Sequence, residues 1–213
     1  MTTSKRRVSW WLNAIEHAGL IVRMGGIVVY PTDTVYGIGG SPWLEYAVER
    51  VFRVKRRPPD KPVPLLVVSV ESALEIGEFD EAARRLAERF WPGALTIVVP
   101  LRDTSIPELV TAGTGCVGLR MPAHPAPRLL AMYAGGAIIG TSANISGMPS
   151  KRDIDSVLLE LGDDDVDYFL DGGVLLGSPS TVLNLCKSPP RIERLGPVPP
   201  EAIERVAGIK VVT

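Results

Sequence analysis

A chain of 213 residues with 46% hydrophobic and 22% charged positions can bury an α/β core, and is too apolar to be disordered. Its formal net charge of −1 excludes a generally cationic nucleic-acid binder, so any contact with a polyanion must depend on local patches. Cys116 and Cys186 show neither metal-ligand spacing nor a disulfide framework, which points to a reducing compartment.

Trp11, Ile15, Ala18 and Val22 recur at helical spacing and predict an amphipathic helix over residues ~8–24. Lys5, Arg6 and Arg7 precede it without the apolar run of a signal peptide, and no apolar run nears the ~20 residues of a membrane span. A cytoplasmic protein is expected. Gly25-Gly26 ends the helix, and Ile27 to Tyr30 follows as a short buried strand. Next comes Pro31-Thr32-Asp33-Thr34-Val35-Tyr36-Gly37, which crowds hydroxyls and a carboxylate at a strand's C-terminal end. Ligands gather at such ends in α/β sheets, although a self-satisfied turn has the same composition. Ser41 before Pro42 reads as an N-cap and first helical residue. That helix turns Val48, Val51 and Phe52 inward and leads to Lys55-Arg56-Arg57-Pro58-Pro59-Asp60-Lys61-Pro62. The prolines forbid a helix here, so the cations sit on a stiff loop. Such a loop suits a triphosphate or a nucleic-acid backbone, or is simply solvated.

Leu65 to Val68 predicts the next strand, and Ala82, Leu86 and Phe90 mark a helix over ~80–91 that Trp91-Pro92-Gly93 breaks. Leu95 to Val99 is a strand, residues 100–115 a longer loop, and Cys116 to Leu119 a strand ending at Arg120. Arg120 fits either a ligand contact or a structural salt bridge. His124, between Ala123 and Pro125, is expected to order its turn rather than do chemistry. After a strand over 135–140, Thr141 to Gly147 forms a loop able to offer backbone donors and hydroxyls to phosphate. Asp153 opens a helix to about Leu161, and Asp163-Asp164-Asp165 reads as a solvated acidic turn. Strands follow at Val166 to Leu170, at Ser180 to Leu183 and between Arg191 and Arg194, and Pro199-Pro200 starts a last helix near 201–207. Strands alternate irregularly with helices and no repeat or linker interrupts them. One α/β domain over residues 1–213 with a mixed sheet is expected.

Together these loops resemble the YrdC-like family of threonylcarbamoyl-adenylate synthases. The matching segments are Pro31 to Gly37, Lys55 to Pro58, Trp91-Pro92-Gly93 with Leu95-Thr96, Val117 to Pro125, Ser142 to Gly147, Ser180-Thr181-Val182 and Arg194, in family order. The resemblance implies an open, twisted mixed β-sheet flanked by helices around a large basic cavity. It implies that L-threonine, bicarbonate and ATP give threonylcarbamoyl-AMP and pyrophosphate. Partner proteins then pass the threonylcarbamoyl group to tRNA. By the same resemblance Arg57, Lys61, Ser142, Ser150 and Arg194 would bind ATP, while Thr34, Arg120 and Ser180 would hold threonine. Lys55 would sit close to the phosphates, and Asn144 would orient the serine loop. The resemblance thus makes Lys55, Arg57, Ser142 and Asn144 the catalytic candidates, without a nucleophilic side chain. Mg²⁺ is expected with ATP, and no carboxylate cluster argues for a protein metal site.

The chain departs from the family pattern at Leu66, where some relatives have histidine, and at Ala94, Cys116 and Asn184. It lacks the second domain of longer relatives, so the short form is expected. Two other functions fit the loops. An RNA-binding module would use the basic cavity without catalysis. A carbamoyl-transfer domain like that of hydrogenase maturation factors would take carbamoyl phosphate, but the larger segments of those proteins are missing. Recognition of threonine separates the synthase from the RNA-binding module.

Overall fold

The computed structural model describes residues 3–162 and 164–213, so Asp163 of the expected acidic turn lies outside the described residues. In chain order the elements are α1 (Thr3–Arg23), β1 (Val28–Tyr30), β2 (Gly37–Gly39), α2 (Glu45–Val54), β3 (Leu65–Val67), α3 (Val70–Ile76), α4 (Glu81–Phe90), β4 (Leu95–Pro100) and α5 (Glu108–Thr111). They continue with β5 (Cys116–Arg120), α6 (Pro125–Tyr133), β6 (Ala137–Ile139), β7 (Thr141–Ser142), α7 (Ile154–Leu161), β8 (Tyr168–Phe169), β9 (Thr181–Asn184), β10 (Arg191–Arg194) and α8 (Pro200–Ala207). No described helix is long and apolar enough to cross a membrane.

The fold is mixed α/β, and its strands divide between two sheets. One runs β7-β2-β1-β8 and the other β10-β9-β4-β5-β3-β6. Both are mixed: β1 pairs antiparallel with β2 and parallel with β8, while β4 pairs antiparallel with β5 and parallel with β9. Strand periodicity explains the burial. Successive side chains point to opposite faces, and β1 is buried on both, so it reads as a continuous apolar run. Val29 joins the large core cluster with Ile38, Leu65 and Ile97. Val28 and Tyr30 face a second cluster, where Ile15, Ala18 and Val22 of α1 meet Leu130 and Ala131 of α6.

The two sheets meet at one crossing. Ile139 ends β6 in the larger sheet, and two residues later Thr141 begins β7 in the smaller one. Gly140 carries the chain across because a Cβ there would overlap the Leu66 side chain. On the facing strand, a Cβ at Gly39 would overlap the Ile139 carbonyl.

Local signals hold at many boundaries. Asp80 and Asp153 cap α4 and α7, accepting the N–H of Ala83 and Ser156. His124 caps α6, its Nδ1 accepting the Ala126 N–H, and burial holds this imidazole below its ordinary value, against the pull of Asp33. The reading of Ser41 as a cap is corrected. Helix α2 begins at Glu45 after Leu44, which is extended and makes no side-chain cap. Trp43 instead anchors the preceding turn, donating from Nε1 to Asp103 at 2.8 Å. Four short elements escape the periodicity argument, namely β2, α3, α5 and β7.

The cysteine reading is also corrected. Cys116 opens β5 and Cys186 lies just past β9, strands that flank β4 on either side. Their Cα atoms stand 6.8 Å apart and their sulfurs form a disulfide. Separation in sequence conceals this adjacency, because a parallel crossover brings β9 back beside β4. The cysteines therefore no longer argue for a reducing compartment.

Candidate active site

Four strand ends surround one cavity. β1 ends at Tyr30 and releases the loop that carries Thr32 and Thr34. β5 ends at Arg120, β4 begins beside Thr96, and β9 begins just after Ser180. Because β5 runs antiparallel to β4 and β9 runs parallel to β4, the C-terminal end of β5 and the N-terminal ends of β4 and β9 fall together. The cavity they enclose measures about 140 Å³, and its lining includes hydroxyls from Thr32, Thr34, Thr96, Thr141, Ser142 and Ser180. Arg57, Arg120 and Arg194 complete its charged wall, and no carboxylate is among the lining residues.

Three guanidiniums facing one small space repel one another. Burial first, then Arg194, holds Arg57 below its ordinary value, and burial followed by Arg120 does the same to Arg194. Arginine nevertheless stays protonated in proteins. An anion entering the cavity relieves the repulsion.

Arg120 meets both of its sequence readings. Its NH2 pairs with Asp33 Oδ1 at 2.6 Å, NH1 donates to Thr34 Oγ1 at 3.2 Å and Nε to Gly93 O at 2.9 Å. It is structural, 5% exposed, and yet part of the lining. With Nε engaged by Gly93, the edge between its two terminal nitrogens is where a ligand carboxylate could dock with two bonds.

Ser180 is fixed on two sides. Its hydroxyl lies 2.9 Å from Thr96 Oγ1 and accepts from Arg194 NH2 at 3.0 Å, while its carbonyl accepts from Arg194 Nε at 2.8 Å. Arg194 thereby lies across Ser180. Tyr36 lines the cavity too, and burial together with nearby Asp171 pushes its phenol up to about 12, so it stays neutral.

The basic loop is not uniformly exposed. Lys55 is 1% exposed, and its Nζ donates to the carbonyls of Ser142 and, at 2.7 Å, Asn144. It is a post beneath the serine loop, unlike the solvated cation that the loop composition suggests. Burial first, then Arg57, pushes its amine down to about 7, with Glu160 opposing. A lysine amine keeps two N–H donors even when neutral, so both carbonyls remain served. Arg57 lies over the Phe52 ring and is held at the lining by Lys61 O at 3.0 Å and Pro62 O at 2.6 Å.

Of the residues singled out in the sequence, the structure brings Thr34, Arg57, Arg120, Ser142, Ser180 and Arg194 into the lining. Lys55, Lys61, Asn144 and Ser150 are not lining residues. Asn144 lies inside its loop, where Nδ2 donates to Ile145 O and Met148 O at 2.8 Å each. Lys61 is exposed and Ser150 half-buried. Thr32 and Thr96 were missed as site residues. Thr96 had a signal: it is a polar side chain on β4 facing away from Leu95, Ile97 and Val99, where a simple core strand would carry another apolar residue.

A family model described as Sua5_yciO_yrdC, telomere recombination, matches residues 20–196. Over 207 residues, 96% of the chain, the sequence is 39% identical to a protein of Pyrococcus abyssi (strain GE5 / Orsay) named threonylcarbamoyl-AMP synthase. The chain spans 59% of that protein's length. The structure matches that of P. abyssi Sua5 complexed with L-threonine with a TM-score of 0.86 and 38% identity, covering 92% of this chain and 58% of the other. It also matches E. coli YciO with a TM-score of 0.81 and 27% identity, covering 89% and 92% of the two chains.

Proposed function

The chain belongs to the Sua5/YciO/YrdC family, and from that premise we propose that it makes threonylcarbamoyl-AMP and pyrophosphate from L-threonine, bicarbonate and ATP. The observation that carries this reading is the cavity itself, where three arginines and seven hydroxyl-bearing residues, Tyr36 among them, converge with no lining carboxylate. Its volume of about 140 Å³ lies below the ~300 Å³ at which drug-sized clefts begin. The amino acid would lie inside and the nucleotide would extend across the mouth. The P. abyssi Sua5 complex with L-threonine, a structure of the same fold, supports the choice of amino acid.

In this reading Arg120 holds the threonine carboxylate through its terminal nitrogens, with Thr34 and Ser180 as neighbouring hydroxyls. The threonine nitrogen takes up bicarbonate with loss of water, giving a carbamate. A carbamate oxygen then attacks the α-phosphorus of ATP, and pyrophosphate leaves with the bonding electrons. Both reactants are anions, so positioning and charge neutralisation carry the catalysis. Arg57, Arg194 and Lys61 supply the positive charge for ATP, and Ser142 and Ser150 add hydroxyls on the nucleotide side. Lys55 and Asn144 act on Ser142 from behind, by holding its loop. Magnesium enters with ATP, on the phosphate oxygens, as part of the substrate. The product would pass to proteins that modify tRNA, which places the activity in the cytoplasm.

The test is product analysis with purified protein. Pyrophosphate release should require threonine and bicarbonate together, and the adenylate product should carry both. Pyrophosphate release that ignores threonine would overturn the reading.

A further inference from the structure

Ser142 ends β7, and the chain from there to Ser150, on the way to α7, has no regular structure. Its shape is held by Lys55 beneath, Asn144 within, and a further side chain from outside. Glu160, in the last turn of α7, turns back onto the loop. Its Oε1 accepts the Ile145 N–H at 2.7 Å and its Oε2 pairs with Lys151 Nζ. The two contacts fall on opposite halves of the loop. Lys151 also links onward, since its carbonyl accepts the Tyr36 N–H at 3.0 Å in the segment that follows Thr34.

Glu160 stands where a carboxylate is not helped by its helix. Acidic residues are unfavourable near the negative C-terminal end of a helix dipole unless something compensates. Burial also disfavours the charge, yet the Lys151 ion pair and the Ile145 amide hold Glu160 below the usual carboxylate range. Its side chain is only 13% exposed. The compensation therefore comes from the loop and not from solvent.

We propose that Glu160 is a positioning residue that clips the two halves of the 142–151 loop together, so that Ser142 and Ser150 are presented to ATP as one rigid wall. The proposal rests on the synthase reading above for the identity of the ligand. Loss of the clip frees the Ile145 amide and the Lys151 side chain, whereas Glu160 makes no hydrogen bond to Arg120, Thr34 or Ser180 among the described residues. The effect should fall on ATP and spare threonine.

The experiment titrates ATP and L-threonine separately into the wild-type protein, Glu160→Ala and Glu160→Gln by calorimetry, and follows hydrogen exchange of the Ile145 amide. Losing a charge-assisted bond should make ATP binding about tenfold weaker in Glu160→Ala, with faster Ile145 exchange and threonine affinity held within about twofold. Glu160→Gln keeps an oxygen for the Ile145 amide, so it should restore slow exchange and recover most of the ATP affinity. That rescue also covers the case in which Glu160→Ala fails to fold. Equal losses for the two ligands would make Glu160 a general stability residue and overturn the inference, as would a folded alanine variant with unchanged ATP affinity. A wild-type protein that binds no ATP would remove the nucleotide reading itself, and this inference with it.

Discussion

Arg120, at the end of a strand, and Lys55, at the end of a helix, are both buried cations, 5% and 1% exposed respectively, but they face opposite surroundings. Arg120 ends β5 beside a carboxylate, Asp33, and lines the cavity. Lys55 ends α2 beneath the serine loop, is bonded to two backbone carbonyls, and does not line the cavity. The difference lies in their donors. A planar five-donor fork can satisfy a structural partner and still offer a ligand edge, whereas the Lys55 ammonium places two of its three donors on backbone carbonyls beneath the serine loop, outside the lining. Burial of a cation near a site therefore does not by itself make it a ligand contact.

The largest effect should come from Arg120→Ala. Removing one partner of a buried ion pair leaves Asp33 uncompensated and costs about 3 kcal/mol of stability. Threonine affinity should fall about 10- to 150-fold, the worth of a charge-assisted contact. Arg120→Lys keeps the charge without the fork and should recover part of both losses. Denaturant unfolding and calorimetric titration read the two effects, and an Arg120→Ala variant that loses stability but binds threonine normally would leave Arg120 purely structural.

Lys55→Met should cost about 2 kcal/mol, because the Ser142 and Asn144 carbonyls lose their donor. Threonine affinity should stay at the wild-type level. A pH signature identifies the cause. The folded value of about 7 lies below the ordinary 10.5, so between them the unfolded chain binds more protons. Stability therefore rises with pH across that window, by about 1 kcal/mol from pH 7 to pH 8. Lys55→Met should lack this rise, and a variant that retains it would assign the titration to another group.

The smallest effect on folding belongs to Lys61→Ala. An exposed cation contributes little to stability, so the change should stay within about 0.5 kcal/mol while ATP binding weakens. Unchanged ATP affinity would leave Lys61 a solvated charge.

Local chemistry was legible in the sequence. Asp153 announced its helix, Trp91-Pro92-Gly93 ended another, and a β-branched run marked β1. These signals work because a cap or a strand period is decided within a few residues. The Thr34 loop, Arg120 and the Ser142 loop were also visible, as polar stretches after predicted strands, where α/β folds collect ligands, while Ser180 entered through the family resemblance. Ser41 shows the limit even of local rules, since a serine before proline caps a helix only if the chain turns there, and the Trp43–Asp103 contact holds it in another course.

What only the tertiary structure decided involves partners far apart in sequence. The division into two sheets depends on Gly140 meeting Leu66, and the disulfide depends on β9 returning beside β4. Lys55 reads as an exposed loop cation until the serine loop, 87 residues on, lays its carbonyls over it. The Glu160 clip is likewise invisible without the fold, because nothing in an eight-residue helix says which loop its last turn will face. A sequence states which groups a chain carries and how each short stretch bends. Which groups share a cavity is set by packing, through non-local contacts that local propensity does not encode.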